Sequence, residues 1–155
     1  MRWYLVILLS ISWPLKAFAS EIDKEINCLA LNIYHEARGE PREGQLAVGY
    51  VTMNRVVSGR YPNSVCKVVW QPKQFSWTHD GRSDRPEHDS SWNRSLRIAS
   101  FIYKNYYRFM TITKGATDVT GGALYYYAPR HVNPVWAKDM VATRQIGSHV
   151  FLKDS

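Results

Sequence analysis

Cysteine is scarce in this sequence, with only Cys28 and Cys66 among 155 residues. Two thiols cannot build a disulfide-dense scaffold or a cysteine-rich zinc site. Neither has an activating base beside it, so neither reads as a nucleophile. The His-Glu-x-x-His pattern that puts two metal ligands on one helix face is also missing. His131 and His149, taken with Glu36, suggest at most a zinc site as the weaker alternative, and no metal is assigned. There is no run of basic residues, which argues against nucleic acid as a partner. Beyond residue 19 no segment is apolar enough to cross a bilayer. Repeats, low-complexity tracts and Pro/Gly/Ser-rich linkers are absent as well. The chain therefore reads as one domain, long enough to bury a single core.

The first 19 residues are unlike the rest. Met1-Arg2 gives a positive start, Trp3 to Trp13 is apolar apart from two serines, and Ala17-Phe18-Ala19 is a small-x-small site. That is the pattern of a secretory signal peptide ending at residue 19. It assigns residues 20–155 to the mature domain, with no lasting membrane insertion after cleavage; an uncleaved anchor is the alternative. Export leads to an oxidising compartment, the periplasm or cell envelope, where Cys28 and Cys66 are expected to pair. Two free buried thiols are the other reading. Removing residues 1–19 takes away Arg2 and Lys16, leaving 18 basic against 13 acidic side chains, a charge of +5. Such a balance suits an anionic envelope polymer, or simply keeps the protein soluble.

The chain is organised around Ile33-Tyr34-His35-Glu36-Ala37-Arg38-Gly39-Glu40-Pro41-Arg42-Glu43-Gly44. Ile22, Ile26, Ala30, Ile33 and Ala37 recur at helical spacing, so a first helix is expected from Ser20 to about Arg38. Gly39 is read as its left-handed terminator. Pro41 and Glu43 suit the opening turn of a second helix, from Pro41 to about Ser58. Glu36 then sits at the negative end of one helix dipole, which should raise its pKa. Glu40 and Glu43 face the positive end of the next and should stay ionised. Neighbouring carboxyls pushed apart in this way divide into acid and base. Glu36 is assigned as the proton donor. Asn32 lies one turn before it, either orienting that carboxyl or facing solvent, and His35 is given no role.

Further along, Gly59 should end helix two, and a short helix follows through Val65, Val68 and Val69. Residues 73–90 read as a long polar surface loop. Gln74, Phe75 and Trp77 sit at its mouth, the aromatic and amide side chains with which a sugar groove is built. A third helix is expected from Ser91 to Met110, burying Trp92, Leu96, Ala99, Ile102, Tyr106 and Phe109. Gly121 to Tyr127 reads as a strand, with partners around 142–146 and 149–152. Tyr125 and Tyr127 share one strand face and are assigned to the groove, with Tyr126 on the other. Trp136 is a further platform. Helices first and a small sheet later make an α+β fold.

Several blocks then fall in one order along the chain. Glu36-Ala37-Arg38-Gly39-Glu40-Pro41 is followed by Gly44-Gln45-Leu46-Ala47-Val48, Asn54-Arg55-Val56 and Gln71 to Ser76. Gly121 to Tyr127 and Ile146-Gly147-Ser148-His149-Val150-Phe151 complete the set. The sequence resembles the spore-cortex-lytic (SleB-like) cell wall hydrolase family over nearly all of the expected mature chain. It departs from that pattern at His35, where a small residue is expected, and in the markedly polar 78–90 loop. The resemblance implies a mainly helical lysozyme-like domain with a small C-terminal antiparallel sheet. It implies a monomer without cofactor, acting on peptidoglycan glycan strands between N-acetylmuramic acid and N-acetylglucosamine. It also points to Glu36 as the single acid/base of a lytic transglycosylase. A muramidase-type hydrolase using water, with Asp80, Asp84 or Asp89 as second carboxylate, and a non-catalytic peptidoglycan-binding module are the alternatives.

Overall fold

A computed structural model describes residues 13–155, and the bulk of the expected signal peptide lies outside them. Four α-helices come first: α1 (Trp13–Ala37), α2 (Arg42–Val57), α3 (Val65–Val69) and α4 (Asp89–Thr113). Three strands follow: β1 (Tyr125–Tyr127), β2 (Met140–Ile146) and β3 (His149–Asp154). They form one antiparallel sheet in the order β1-β3-β2. The α+β arrangement expected from the sequence is the observed one.

The helices pack because their apolar stripes have one another to cover. Leu29 and Ile33 of α1, Val48 and Met53 of α2, and Ile102 and Tyr106 of α4 are all fully buried together. Gly49 lets α2 approach closely, since a Cβ there would press into Ile102. The opposite face of α2 carries Ala47 and Val51 against Ala123, Ile146 and Phe151, and this second cluster seats the sheet. α2 is thus covered on both sides. Cys28 and Cys66 are disulfide-bonded, with Cα atoms 5.2 Å apart, and tie α1 to α3.

Several boundaries differ from expectation. α1 is already helical at Trp13, the first described residue, and runs through Ala17-Phe18-Ala19 without a break; residues 17–21 are exposed. α4 extends two or three residues further at each end than its apolar pattern, from Asp89 to a left-handed Lys114. Gly39 is not left-handed: the turn after α1 closes through Arg38 N–H to Tyr34 O (3.2 Å) and Glu40 N–H to Ala37 O (2.9 Å). The expected strand from Gly121 shortens to three residues, because Gly121 and Gly122 both take positive φ and form a turn. A buried polar network holds that turn. Asn54 donates to Asp118 Oδ2 (2.9 Å) and to Ala123 O (3.0 Å), and Gly122 N–H donates to the same Asp118 oxygen (2.9 Å). Tyr106 donates to Asn54 from the far side (2.7 Å). The helical core thereby fixes where β1 starts.

Candidate active site

β1 leaves that turn and crosses the end of α1. There the Tyr126 hydroxyl donates to Glu36 Oε2 at 2.9 Å, across 90 residues of sequence. Both groups border a cavity of about 500 Å³ between the helices and the sheet. Burial raises the Glu36 pKa; the Tyr126 hydrogen bond and the positive charge of Arg55 oppose that shift without cancelling it. The expected direction holds, but its leading cause is removal from water rather than the helix end. Tyr126 is itself held well above its ordinary value, by burial and then by the charge of Glu36, so it remains a donor.

Arg55 is the other charged residue at the carboxyl. It is buried, its Nε–H donates to Leu124 O (2.7 Å), and its guanidinium lies between the rings of Tyr61 (5.3 Å) and Phe75 (5.4 Å). Nη1 has no hydrogen-bond partner among the described residues. A buried guanidinium held this firmly, with its Nη1 unpartnered among the described residues, is a fixed positive group beside the Glu36 carboxyl.

Of the residues singled out by sequence, Glu36, Gln74, Phe75, Tyr125 and Trp136 line this cavity. Trp136 packs on Tyr125 at 5.9 Å and on Tyr127 at 6.0 Å, making an aromatic rim. Tyr127 is behind that rim and not in the lining; Tyr126 lines the cavity in its place. Trp77 is outside it too, buried beneath the 80–88 loop with its Nε1–H donated to Asn32 Oδ1 (3.3 Å). Asn32 is not solvent-facing: it is fully buried and also bonds Thr52 (3.0 Å). It braces the wall and does not touch Glu36. Sequence reasoning missed Tyr126, Arg55, Tyr61 and Lys73. The block Asn54-Arg55-Val56 carried a signal for Arg55, but nothing in it told a site residue from a helix surface cation.

Glu40 is placed quite differently. Its Oε2 accepts from Ser148 N–H (3.0 Å) and its Oε1 from the Ser148 hydroxyl, clamping the β2–β3 turn. Gly147 at that turn has φ +57°, and a Cβ there would collide with Glu40 Oε2, so the clamp requires glycine. Burial would raise the Glu40 pKa, but the two Ser148 donors and then His149 outweigh it and hold it below the ordinary value. His149 is kept below its usual value by burial first, which leaves the ring neutral beside Tyr126. No cluster of three metal-ligating side chains exists among the described residues.

Among those residues, Glu36 is the sole carboxylate in the cavity lining. Asp80 and Asp84 face a second hollow, and Asp89 opens α4. The site can therefore offer one proton from one half-buried acid, in a groove with aromatic and amide walls.

Comparison with known proteins places this arrangement. The family model described as Cell Wall Hydrolase matches residues 39–152. A spore cortex-lytic enzyme of Bacillus cereus is 31% identical over 129 residues, covering 83% of this chain and 44% of its own. One from Bacillus subtilis is 30% identical with the same coverage of this chain and 37% of its own. The chain spans less than half the length of these curated relatives. Two solved structures are similar at TM-score 0.62 and 31% identity: the catalytic domain of the Bacillus cereus SleB protein and that of the germination-specific lytic transglycosylase SleB from Bacillus anthracis. Each covers 83% of this chain, which in turn covers 89% and 93% of them. With the family model matched over residues 39–152 and relatives 30–31% identical over 83% of the chain, the chain belongs to the SleB-like cell wall hydrolase family.

Proposed function

We propose that this protein is an exported peptidoglycan glycosidase that cuts the glycan strand between N-acetylmuramic acid and N-acetylglucosamine. In this reading Glu36 is the single acid/base of a lytic transglycosylase. The observation that carries it is the lone cavity carboxylate, pushed toward its protonated form by burial.

Glu36 protonates the glycosidic oxygen as the bond to the muramoyl C1 breaks. The resulting carboxylate then takes the proton of the muramoyl C6 hydroxyl, whose oxygen closes on C1. Proton and bond counts balance without water, and the product is a 1,6-anhydro end. A hydrolase of the two-carboxylate kind needs a second acid about 5–9 Å away, and the cavity lining supplies none. Tyr126 orients the carboxyl. Trp136 and Tyr125 offer aromatic faces to sugar rings, and Gln74 an amide to their substituents. Phe75, buried in the cavity wall, backs Arg55. Trp77 supports the groove from beneath. The names of the similar proteins, spore cortex-lytic enzymes and a lytic transglycosylase, point the same way.

Export rests on residues 1–19, with cleavage after Ala19 on an exposed stretch of α1. No described helix is long and apolar enough to cross a membrane. A monomer acting in the periplasm or cell envelope, without cofactor, completes the reading. The deciding experiment is mass analysis of soluble fragments released from purified sacculi. Muropeptides with ends lighter by one water are expected. Reducing ends of full mass would establish a hydrolase instead, and release of nothing, with sacculi still bound, a binding module.

A further inference from the structure

The second cavity, of about 550 Å³, lies on the other side of the segment that walls the first. The two share no residue, but neighbours in sequence line them: Glu36 and Ser76 line one, His35 and Trp77 the other. Its outer wall is the polar 80–88 loop, and that loop is pinned. Glu87 and His88 both donate their N–H groups to the Tyr34 hydroxyl (3.1 and 3.2 Å). His35 donates from Nε2 to Asp84 O (3.1 Å) and stacks on Trp77 with ring centres 4.4 Å apart. His35, the departure from the family pattern, is thus a tie between α1 and the loop.

What the loop presents is charge. Arg38, Arg82 and Arg85 border the hollow with Asp80, Asp84 and Glu87. The three arginines are exposed, and none forms an ion pair with any acid of the described residues. The hollow therefore offers guanidinium groups outside any ion pair, that of Arg38 lying over the Tyr34 ring at 5.0 Å, beside acids of which Asp80 accepts from the Arg82 backbone N–H (2.9 Å). A polyphosphate or nucleic acid would meet three like charges in the wall. A neutral sugar would find no open ring to stack on, because His35 already covers Trp77. A short peptide with several carboxylates and an ammonium matches both signs, since arginine takes carboxylates in bidentate fashion.

We propose that this hollow receives the peptide stem borne by the muramoyl residue in the first cavity, its arginines taking the stem carboxylates and its acids the stem ammonium. This rests on reading the Glu36 cavity as the glycan site. An extended stem of four residues spans about 13–14 Å at about 3.3–3.6 Å per residue, enough to cross a wall one segment thick. Stem-bearing strands would then be held at two places and preferred over bare ones.

The test is an NMR titration of the full chain carrying Glu36→Gln with a free stem tetrapeptide that contains diaminopimelate. Shifts are expected at residues 80–88, His35 and the Trp77 indole, and an affinity at least about tenfold weaker in R82E/R85E. R82K/R85K, which keeps the charge and loses the bidentate fork, should fall between the two. With the active chain, the ratio of kcat/KM on stem-bearing against amidase-stripped strands should fall about tenfold in R82E/R85E. Peptide shifts elsewhere or nowhere, or an unchanged ratio, would overturn the proposal. If no strand is cut at all, the glycosidase reading fails while the titration still decides this one.

Discussion

Glu36 and Glu40 stand four residues apart at the same helix junction and are driven in opposite directions. Burial acts on both toward the protonated form. Glu40 escapes because both its oxygens receive donors from Ser148. Glu36 has a single donor, Tyr126, on one oxygen, and Oε1 accepts from no other described residue. A carboxylate satisfied on both sides is an anion that holds structure together. One left half-satisfied in a cavity is less well held as an anion, and its pKa rises. Helix-end dipoles alone anticipate the same split of signs, but the causes are burial at Glu36 and the Ser148 donors at Glu40.

The largest effect expected from breaking this contrast is that of Glu36→Gln. Loss of a positioned acid lowers turnover by about 10²–10⁴, read as soluble muropeptide release, while sacculus binding persists. Stability should move the other way. The folded-state pKa of Glu36 lies above its ordinary value of 4.5, so ionising it costs folding free energy, none below pH 4.5 and more as pH rises through the folded value. Thermal unfolding at pH 7 should therefore show Glu36→Gln melting no lower than wild type, with the gap closing in acid. A lower Tm at pH 7 would mean that the carboxylate is held by something other than Tyr126 and Arg55.

Glu40→Ala should do the reverse. Ser148 N–H and its hydroxyl lose their acceptor, which costs about 1–3 kcal/mol. Glu40 has a depressed folded pKa, so its contribution is complete above 4.5 and fades as pH falls through the folded value. Urea unfolding should show the variant penalty at pH 7 and its disappearance in strong acid. A loss of turnover like that of Glu36→Gln, at unchanged stability, would mean that the two roles have been exchanged.

How much of this could be read beforehand depends on distance along the chain. The helices, their junction and the disulfide followed from local periodicity, the end signals around Pro41 and Gly59, and the expectation of export drawn from residues 1–19. Glu36 stood out as an acid because its pattern was local too. Tyr126 did not, because which ring of a tyrosine triplet reaches α1 is decided by its pairing with Phe151. Asn32 read as a surface residue because its partners, Thr52 and Trp77, lie 20 and 45 residues away. Arg55 was given no role of its own, because Leu124, Tyr61 and Phe75, which close around it, lie elsewhere along the chain. The polar 78–90 loop read as solvated, since sequence cannot show that Tyr34 and His35 tie it down.

The smallest expected change sharpens the contrast most finely. Tyr126→Phe removes the one protein donor to Glu36 and leaves the ring packed on Phe151 at 5.7 Å. That hydrogen bond favours the carboxylate, so its loss should raise the Glu36 pKa further. A general acid must be protonated in the free enzyme, so the alkaline limb of kcat/KM reports its pKa and should move to higher pH. Turnover at the optimum should fall only a few-fold, on the order of one hydrogen bond of about 1 kcal/mol. A pH–rate profile of the two proteins on one muropeptide reads both quantities. An alkaline limb that moves toward acid would mean that Tyr126 holds the proton on Glu36 instead of competing for its charge, and that the surplus of donors at Glu40 is not what sets the two carboxyls apart.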